Sequence, residues 1–300
     1  MTGTEGLPLA DWGLPMVLAA AVSLGTIGLL LSKLFEFALD VPNHRSLHSA
    51  PVPRTGGWAM IAGMAAALAA SPLAFVPALA AAFFLLIAVS AVDDLRSVSA
   101  RVRFAVHLLS VSLLLLALPE TLSWWWYPFL LIGGVWVINL YNFMDGMDGF
   151  AGSMTVFGFA TLGLVSAWRG HGELAGICAL LVVCALVFLR YNWPPARIFL
   201  GDAGSTTLGL AAFAISLYGW LEGVFGLLVP LIAFSPFWLD ATVTLARRVL
   251  SGQRWWEAHR EHWYQRAALR FGVRRALLVE FTVMGLASVM ALSAVAVGLA

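Results

Sequence analysis

From one end to the other, the chain alternates apolar runs with short polar interruptions. The runs are near 20 residues long, the length an α-helix needs to cross a hydrocarbon core of about 30 Å. They predict about ten transmembrane helices, over 14–38, 56–75, 77–92, 104–118, 126–141, 150–168, 174–190, 204–220, 224–242 and 276–299. Proline, glycine and polar residues blur the ends of the fifth, eighth and ninth. The pattern describes a single all-α, polytopic integral membrane domain over residues 1–300.

Composition agrees. Of 300 residues, 61% are hydrophobic and 11% charged, with a mean hydropathy of +0.89, whereas a soluble domain carries about 25% charged residues. A net charge of +1 gives no sign of a nucleic-acid partner. Cys178 and Cys184 lie inside the seventh run, where they read as packing residues without a metal or disulfide role. The opening "MTGTEGLPLADWG" lacks a basic segment, so the first run reads as a retained helix.

The distribution of charge changes the picture. Of the 17 Lys and Arg, all but Arg169 fall in the odd-numbered loops or at the adjoining span ends. The opposite loops carry Glu5, Asp11, Glu120, Glu173 and Glu222. The positive-inside rule places the odd loops in the cytoplasm and both termini outside, with "WWWYP" at 124–128 as an outer aromatic belt.

Each odd loop also carries an unusual polar stretch. The first, "VPNHRSLHSAPVPRTGG" (41–57), displays Arg45, His48 and Arg54, and the second, "VDDLRSVSARVR" (92–103), displays Asp93, Asp94 and Arg103. The third, "NLYNFMDGMDGFAGS" (139–153), gathers Asn139, Asn142, Asp145 and Asp148. The fourth, "RYNWPPARIFLGDAGS" (190–205), holds Asn192 and Asp202, and the fifth, "EAHREHWYQR" (257–266), holds His259, Arg260, His262 and Arg266.

Carboxylates at the ends of membrane helices are costly and tend to be functional. Drawn together they repel unless a cation intervenes, and an oxygen-rich, thiol-free set suits Mg²⁺ or Mn²⁺. Arginine and histidine in neighbouring loops supply anion binding. The combination points to phosphoryl transfer between a soluble nucleotide and a lipid. Each stretch has a plainer reading: a solvated loop for Asp93–Asp94, an Asx turn for "DGMDG", a helix cap for Asp202, positive-inside topology for the basic loops. His107, His171 and Asp240 read as structural. Five such stretches on one side make coincidence a poor account.

In this motif order, over about residues 41–270, the chain resembles the polyprenyl-phosphate N-acetylhexosamine-1-phosphate transferases. "PNHRSLHSAPVPRTGG", "DD…R", "NLYNFMDGMDGFAGS" and "YNWPPARIFLGDAGSTTLG" are similar to that family's successive cytoplasmic segments. The resemblance implies a reaction in which a UDP-N-acetylhexosamine and undecaprenyl phosphate give undecaprenyl-diphospho-HexNAc and UMP. It implies an active site built from cytoplasmic loops at a bacterial inner membrane, with Mg²⁺ (or Mn²⁺) as cofactor. It also leaves a homodimer open. By analogy Asp202 is a metal ligand with Asn142 as a second, and Asp93, Asp94 and Asp145 are catalytic. Asp148 and Asn192 would contact the nucleotide. Arg103 falls where some relatives have a phosphate-binding lysine, and Arg45, His48, His259, Arg260, His262 and Arg266 would hold the pyrophosphate or sugar.

The fifth segment reads "HREHWYQR", unlike the three-histidine run of the muramoyl-pentapeptide branch. It resembles the branch that initiates O-antigen and similar glycans, favouring GlcNAc or a 6-deoxy relative such as FucNAc or QuiNAc. A phospho-N-acetylmuramoyl-pentapeptide transferase is the alternative within the family. A CDP-alcohol phosphotransferase is excluded because "GFAG" is one residue short of D-x2-D-G-x2-A-R and lacks its arginine. An ion-coupled transporter is the rival class, expected to show midplane charges and inverted repeats, neither of which the sequence presents.

Overall fold

A computed structural model describes residues 9–32, 37–42, 47, 50–118, 122–253 and 259–299. The described chain is helical apart from one small ribbon. Its helices are α1 (Gly13–Leu30), α2 (Gly56–Ala69), α3 (Pro77–Leu95), α4 (Ala100–Leu116), α5 (Tyr127–Phe143) and α6 (Phe150–Trp168). They continue with α7 (Gly172–Asn192), α8 (Gly201–Leu221), α9 (Leu228–Ala233), α10 (Ser235–Leu250), α11 (Trp263–Phe271) and α12 (Val273–Ala296). Between α1 and α2, β1 (Leu39–Asp40) pairs antiparallel with β2 (Val52–Pro53).

Among the described residues, five helices are both long and apolar enough to cross a membrane: α1, α3, α6, α7 and α12. The chain is therefore an all-α membrane protein. The expected ninth span, 224–242, is broken. α9 stops at Ala233 and α10 restarts at Ser235 with Pro236 in its first turn, where proline fits because it has no N–H to satisfy.

Hydrocarbon offers no hydrophobic drive between helices, so close packing must come from small residues. α8 lies at the centre of this arrangement, against α2, α3 and α5. A Cβ at Gly209 would stand 2.7 Å from the Ile138 Cα of α5, and one at Gly57 of α2 would overlap Gly204 of α8. These contacts fix the N-terminus of α8 against the neighbouring helix ends. At the opposite end of α5 the tryptophans 124–126 stand exposed, Trp124 by 81%.

Candidate active site

The polar residues singled out above converge at one end of the bundle, and most sit on helix ends rather than in free loops. Asp93 and Asp94 occupy the last turn of α3, Asn142 the last turn of α5, Asn192 the end of α7 and Asp202 the first turn of α8. Asp145 and Asp148 lie in the short turn between α5 and α6.

The N-terminus of α8 organises the group. Gly201 takes φ +77°, a left-handed conformation that favours glycine, and a Cβ there would overlap the Arg54 carbonyl oxygen. The first N–H groups of a helix have no partner within it and carry the positive end of its dipole. Here carboxylates receive them. The Asp94 carboxylate accepts from Asp202 N–H (2.7 Å) and Ala203 N–H (3.3 Å), and Gly201 N–H donates to Asp145. Asp94 also accepts from Trp58 Nε1 (2.9 Å) and is fully buried, so both of its oxygens are engaged.

The first loop is woven into the same end. Phe199 N–H donates to the Pro53 carbonyl (2.7 Å), Gly56 N–H to Phe199 (2.8 Å) and Gly57 N–H to Leu200 (2.7 Å). Arg54 donates to the carbonyls of Asp94 (3.0 Å) and Asp93 (3.3 Å). Cations at a helix C-terminus are stabilising, and Arg54 closes the end of α3 in this way. Asp93 accepts from Val98 N–H (2.6 Å) and pairs with Arg103 (3.0 Å), whose side chain remains 42% exposed.

Asp202 accepts from the Asn142 amide, which also donates to Ser205 Oγ (3.2 Å). Asp145 stands within electrostatic reach of Asp202, Asp94 and Asp148. Loss of solvent first, and then those three negative charges, push its carboxyl well above the usual carboxylate range. Among the described residues, no three Asp, Glu, His or Cys side chains are grouped to hold an ion unaided. The donors that fit a hard cation are therefore few, the carboxylates of Asp145 and Asp202 and the amide oxygen of Asn142. Such a site leaves room for waters and substrate oxygens, as Mg²⁺ sites generally do.

Asn192 is buried with both ends of its amide engaged. It accepts from Gly149 N–H (2.8 Å) and donates to the Ile198 carbonyl (2.8 Å), tying the turn after α5 to the loop before α8. Asp148 accepts from Ala196 N–H (2.9 Å) across the same junction. Beside it opens a cleft of about 700 Å³, lined by Asp148, Pro194, Pro195, Phe199 and the α11–α12 junction around Arg274 and Arg275.

The fifth segment reaches the site through α11. His262 is buried, its Nδ1 lying 3.3 Å from Asp240, and its ring packs between those of His259 and Tyr264. Burial, and next the neighbouring His262, lower the His259 pKa to about 4, so its ring is neutral near pH 7. Arg260 and Arg266 are exposed. Arg45 and His48 lie outside the described residues. Four further residues, not among the expected site set, shape the same region: Trp58, Arg54, Gly201 and Tyr264. Arg54 and Gly201 were visible only as a loop cation and a turn glycine. Trp58 sits inside an apolar stretch that gave it no separate signal, and Tyr264 stands out only as one polar residue of the fifth stretch.

Fold and site together define a polytopic membrane protein with a carboxylate-rich centre at one end of a helical bundle. The model of a known family, described as glycosyl transferase family 4, matches residues 76–220. The chain is 29% identical to the "Probable undecaprenyl-phosphate N-acetylglucosaminyl 1-phosphate transferase" of Bacillus subtilis, over 81% of this chain and 72% of that protein. It is likewise 29% identical to the decaprenyl-phosphate N-acetylglucosaminephosphotransferase of Mycolicibacterium smegmatis, over 94% of this chain and 81% of that one. A phospho-N-acetylmuramoyl-pentapeptide-transferase of Clostridium kluyveri is 43% identical, but over 30% of this chain. Over most of its length the chain is thus similar to polyprenyl-phosphate N-acetylglucosamine-phosphate transferases.

Proposed function

We propose that this protein transfers N-acetylhexosamine-1-phosphate from a UDP-sugar to undecaprenyl phosphate, releasing UMP, as the first step of a cell-envelope glycan. The observation that carries the reading is Asp145, set among Asp94, Asp148 and Asp202 at the N-terminus of α8. A set of carboxylates this close is stable when positive charge offsets it, and a divalent cation with a pyrophosphate meets that need.

In this reading Asp145, Asp202 and the Asn142 amide oxygen hold Mg²⁺ (or Mn²⁺). When bound, the ion neutralises charge on the pyrophosphate. The remaining work falls to the chain. An oxygen of the lipid phosphate attacks the β-phosphorus of the UDP-sugar. A P–O bond forms there, the bond to the bridging oxygen breaks, and UMP leaves with the electron pair. Phosphate monoesters lose their second proton near pH 6, so the nucleophile is largely ionised at neutral pH and needs no strong base. Positioning and electrostatics then supply most of the catalysis.

In this reading Arg103, half-exposed beside Asp93, receives a phosphate. Asp94 and Asn192 act as braces, because every oxygen and nitrogen of their side chains is engaged by backbone or Trp58. The cleft beside Asp148 has the mixed apolar and polar lining that suits a flat uracil base. Neutral His259 with exposed Arg260 and Arg266 faces the sugar and its phosphates. The excess of Lys and Arg on this side of the chain supports a cytoplasmic site at the inner membrane.

The "HREHWYQR" segment favours UDP-GlcNAc, or UDP-FucNAc or UDP-QuiNAc, over the muramoyl-pentapeptide donor. So does the extent of similarity, since the N-acetylglucosamine relatives match across most of the chain and the muramoyl one across under a third. The test is UMP release by purified protein given undecaprenyl phosphate, Mg²⁺ and a panel of UDP-sugars. Turnover with UDP-HexNAc donors is expected. Turnover confined to UDP-MurNAc-pentapeptide, or none at all, would sink the proposal.

A further inference from the structure

Tyr264 was no part of the expected site, yet its placement is among the most constrained in the protein. The ring is fully buried, lying 4.6 Å from Phe150, the first residue of α6, and 5.8 Å from His262. Its hydroxyl donates to the Phe143 carbonyl (3.1 Å) and accepts from Gly146 N–H. Residues 143 and 146 bracket Asp145. A Cβ at Gly146 would overlap that hydroxyl, so glycine is required by close approach. Burial holds the phenol's pKa well above its ordinary value, so it remains a donor under all working conditions.

The other end of Tyr264 is equally fixed. Asp240 of α10, which the sequence marks only as a structural contact, accepts from the N–H groups of Trp263 (2.9 Å) and Tyr264 (3.1 Å). It thereby caps the N-terminus of α11, while Thr244 Oγ1 (3.0 Å) and His262 Nδ1 (3.3 Å) complete its shell. Tyr264, with Gln265 beside it at Gly146, thus links the fifth segment to the Asp145 turn.

We propose that Tyr264 is a positioning residue that clamps the backbone on both sides of Asp145, with Asp240 setting its place by capping α11. The inference rests on the reading of Asp145 as part of the transferase centre. It assigns the fifth segment a second task, holding the central turn in register.

Two variants test it. Tyr264→Phe removes the hydroxyl alone, and Gly146→Ala presses a methyl group against it. In Tyr264→Phe, hydrogen exchange of a peptide spanning 143–148, followed by mass spectrometry, is expected to quicken by about fivefold, the scale of one lost hydrogen bond. UMP release should lose kcat by about tenfold, with KM for UDP-sugar and lipid unchanged within twofold. Because the phenylalanine vacates the space, Gly146→Ala should cost far less in the Tyr264→Phe background than alone. Unchanged exchange, strictly additive losses, or a change confined to KM would each overturn the clamp. The exchange measurement needs no turnover, so it decides the clamp even if no UDP-sugar proves to be a substrate.

Discussion

Replacing Asp94 by asparagine changes one oxygen to an amide and tests whether this residue acts on substrate or holds the site together. Its carboxylate receives three donors, the N–H groups of Asp202 and Ala203 and the Trp58 indole. Asparagine can keep one oxygen in place. If it serves Trp58 and Ala203, the new NH₂ faces the Asp202 N–H, and a buried donor loses its acceptor. A hydrogen bond to a charged group contributes about 1.5–3 kcal/mol, and the favourable interaction of an anion with a helix N-terminus adds about 0.3–1 kcal/mol. The expected loss is therefore about 2–4 kcal/mol. At roughly 2 °C per kcal/mol for a chain of this size, Tm should fall by about 4–8 °C. Thermal unfolding of purified protein, followed by intrinsic tryptophan fluorescence, measures it alongside UMP release. If Asp94→Asn kept the wild-type Tm while losing turnover, Asp94 would be a reacting group and the capping account of α8 would be wrong.

Other outcomes follow from the same geometry. Asp202→Asn should fold normally yet lose about 10²-fold in kcat, the scale of removing one preorganised electrostatic group, and wild-type Mg²⁺-dependent turnover would refute its assignment. Gly201→Ala should abolish activity, because a left-handed alanine costs about 1–2 kcal/mol before the overlap with the Arg54 carbonyl is counted; full activity would show that this turn is not tightly held. His259, with its pKa lowered to about 4, stays neutral in the folded chain while the unfolded chain takes up a proton below about 6.5. Its contribution to stability is thus complete above pH 6.5 and declines as pH falls toward 4. His259→Gln should flatten the dependence of Tm on pH across that window and leave the pH profile of kcat unaltered from 6 to 8. Reporter fusions should read cytoplasmic at Gln253 and external at Gly172, and the reverse pattern would invert the topology.

Hydropathy made the helices legible because lipid demands long apolar runs, and most expected spans coincide with a helix to within a few residues. The ninth failed for a physical reason: apolarity continues from 224 to 242, so only the Ser235–Pro236 step marks where the helix divides. Residue type marked the candidate site, since Asp93, Asp94, Asp145, Asp148 and Asp202 are expensive at membrane ends, and the structure brings them to one end of the bundle. Their division of labour was not legible. Asp94 and Asp202 look alike in sequence, and only the direction of the α8 N–H groups shows that one carboxylate receives them while the other faces Asn142. Tyr264 stood out only as one polar residue of the fifth stretch, because its task depends on a turn more than a hundred residues earlier.

The pairing of Asp94 with the start of α8 also bears on how the protein is made. The two partners are 108 residues apart in the chain. At about 5–20 residues per second, ribosomes need roughly 5–20 s to synthesise that stretch. During that interval α3 is in the membrane with the Asp94 carboxylate lacking the N–H donors of α8, while Gly56 and Gly57 also lack the carbonyls of Phe199 and Leu200. Water at the bilayer surface, or the insertion machinery, must serve as interim partner. The end that carries the candidate site is thus assembled late, when α8 arrives, and truncations before residue 201 leave inserted helices without Asp202.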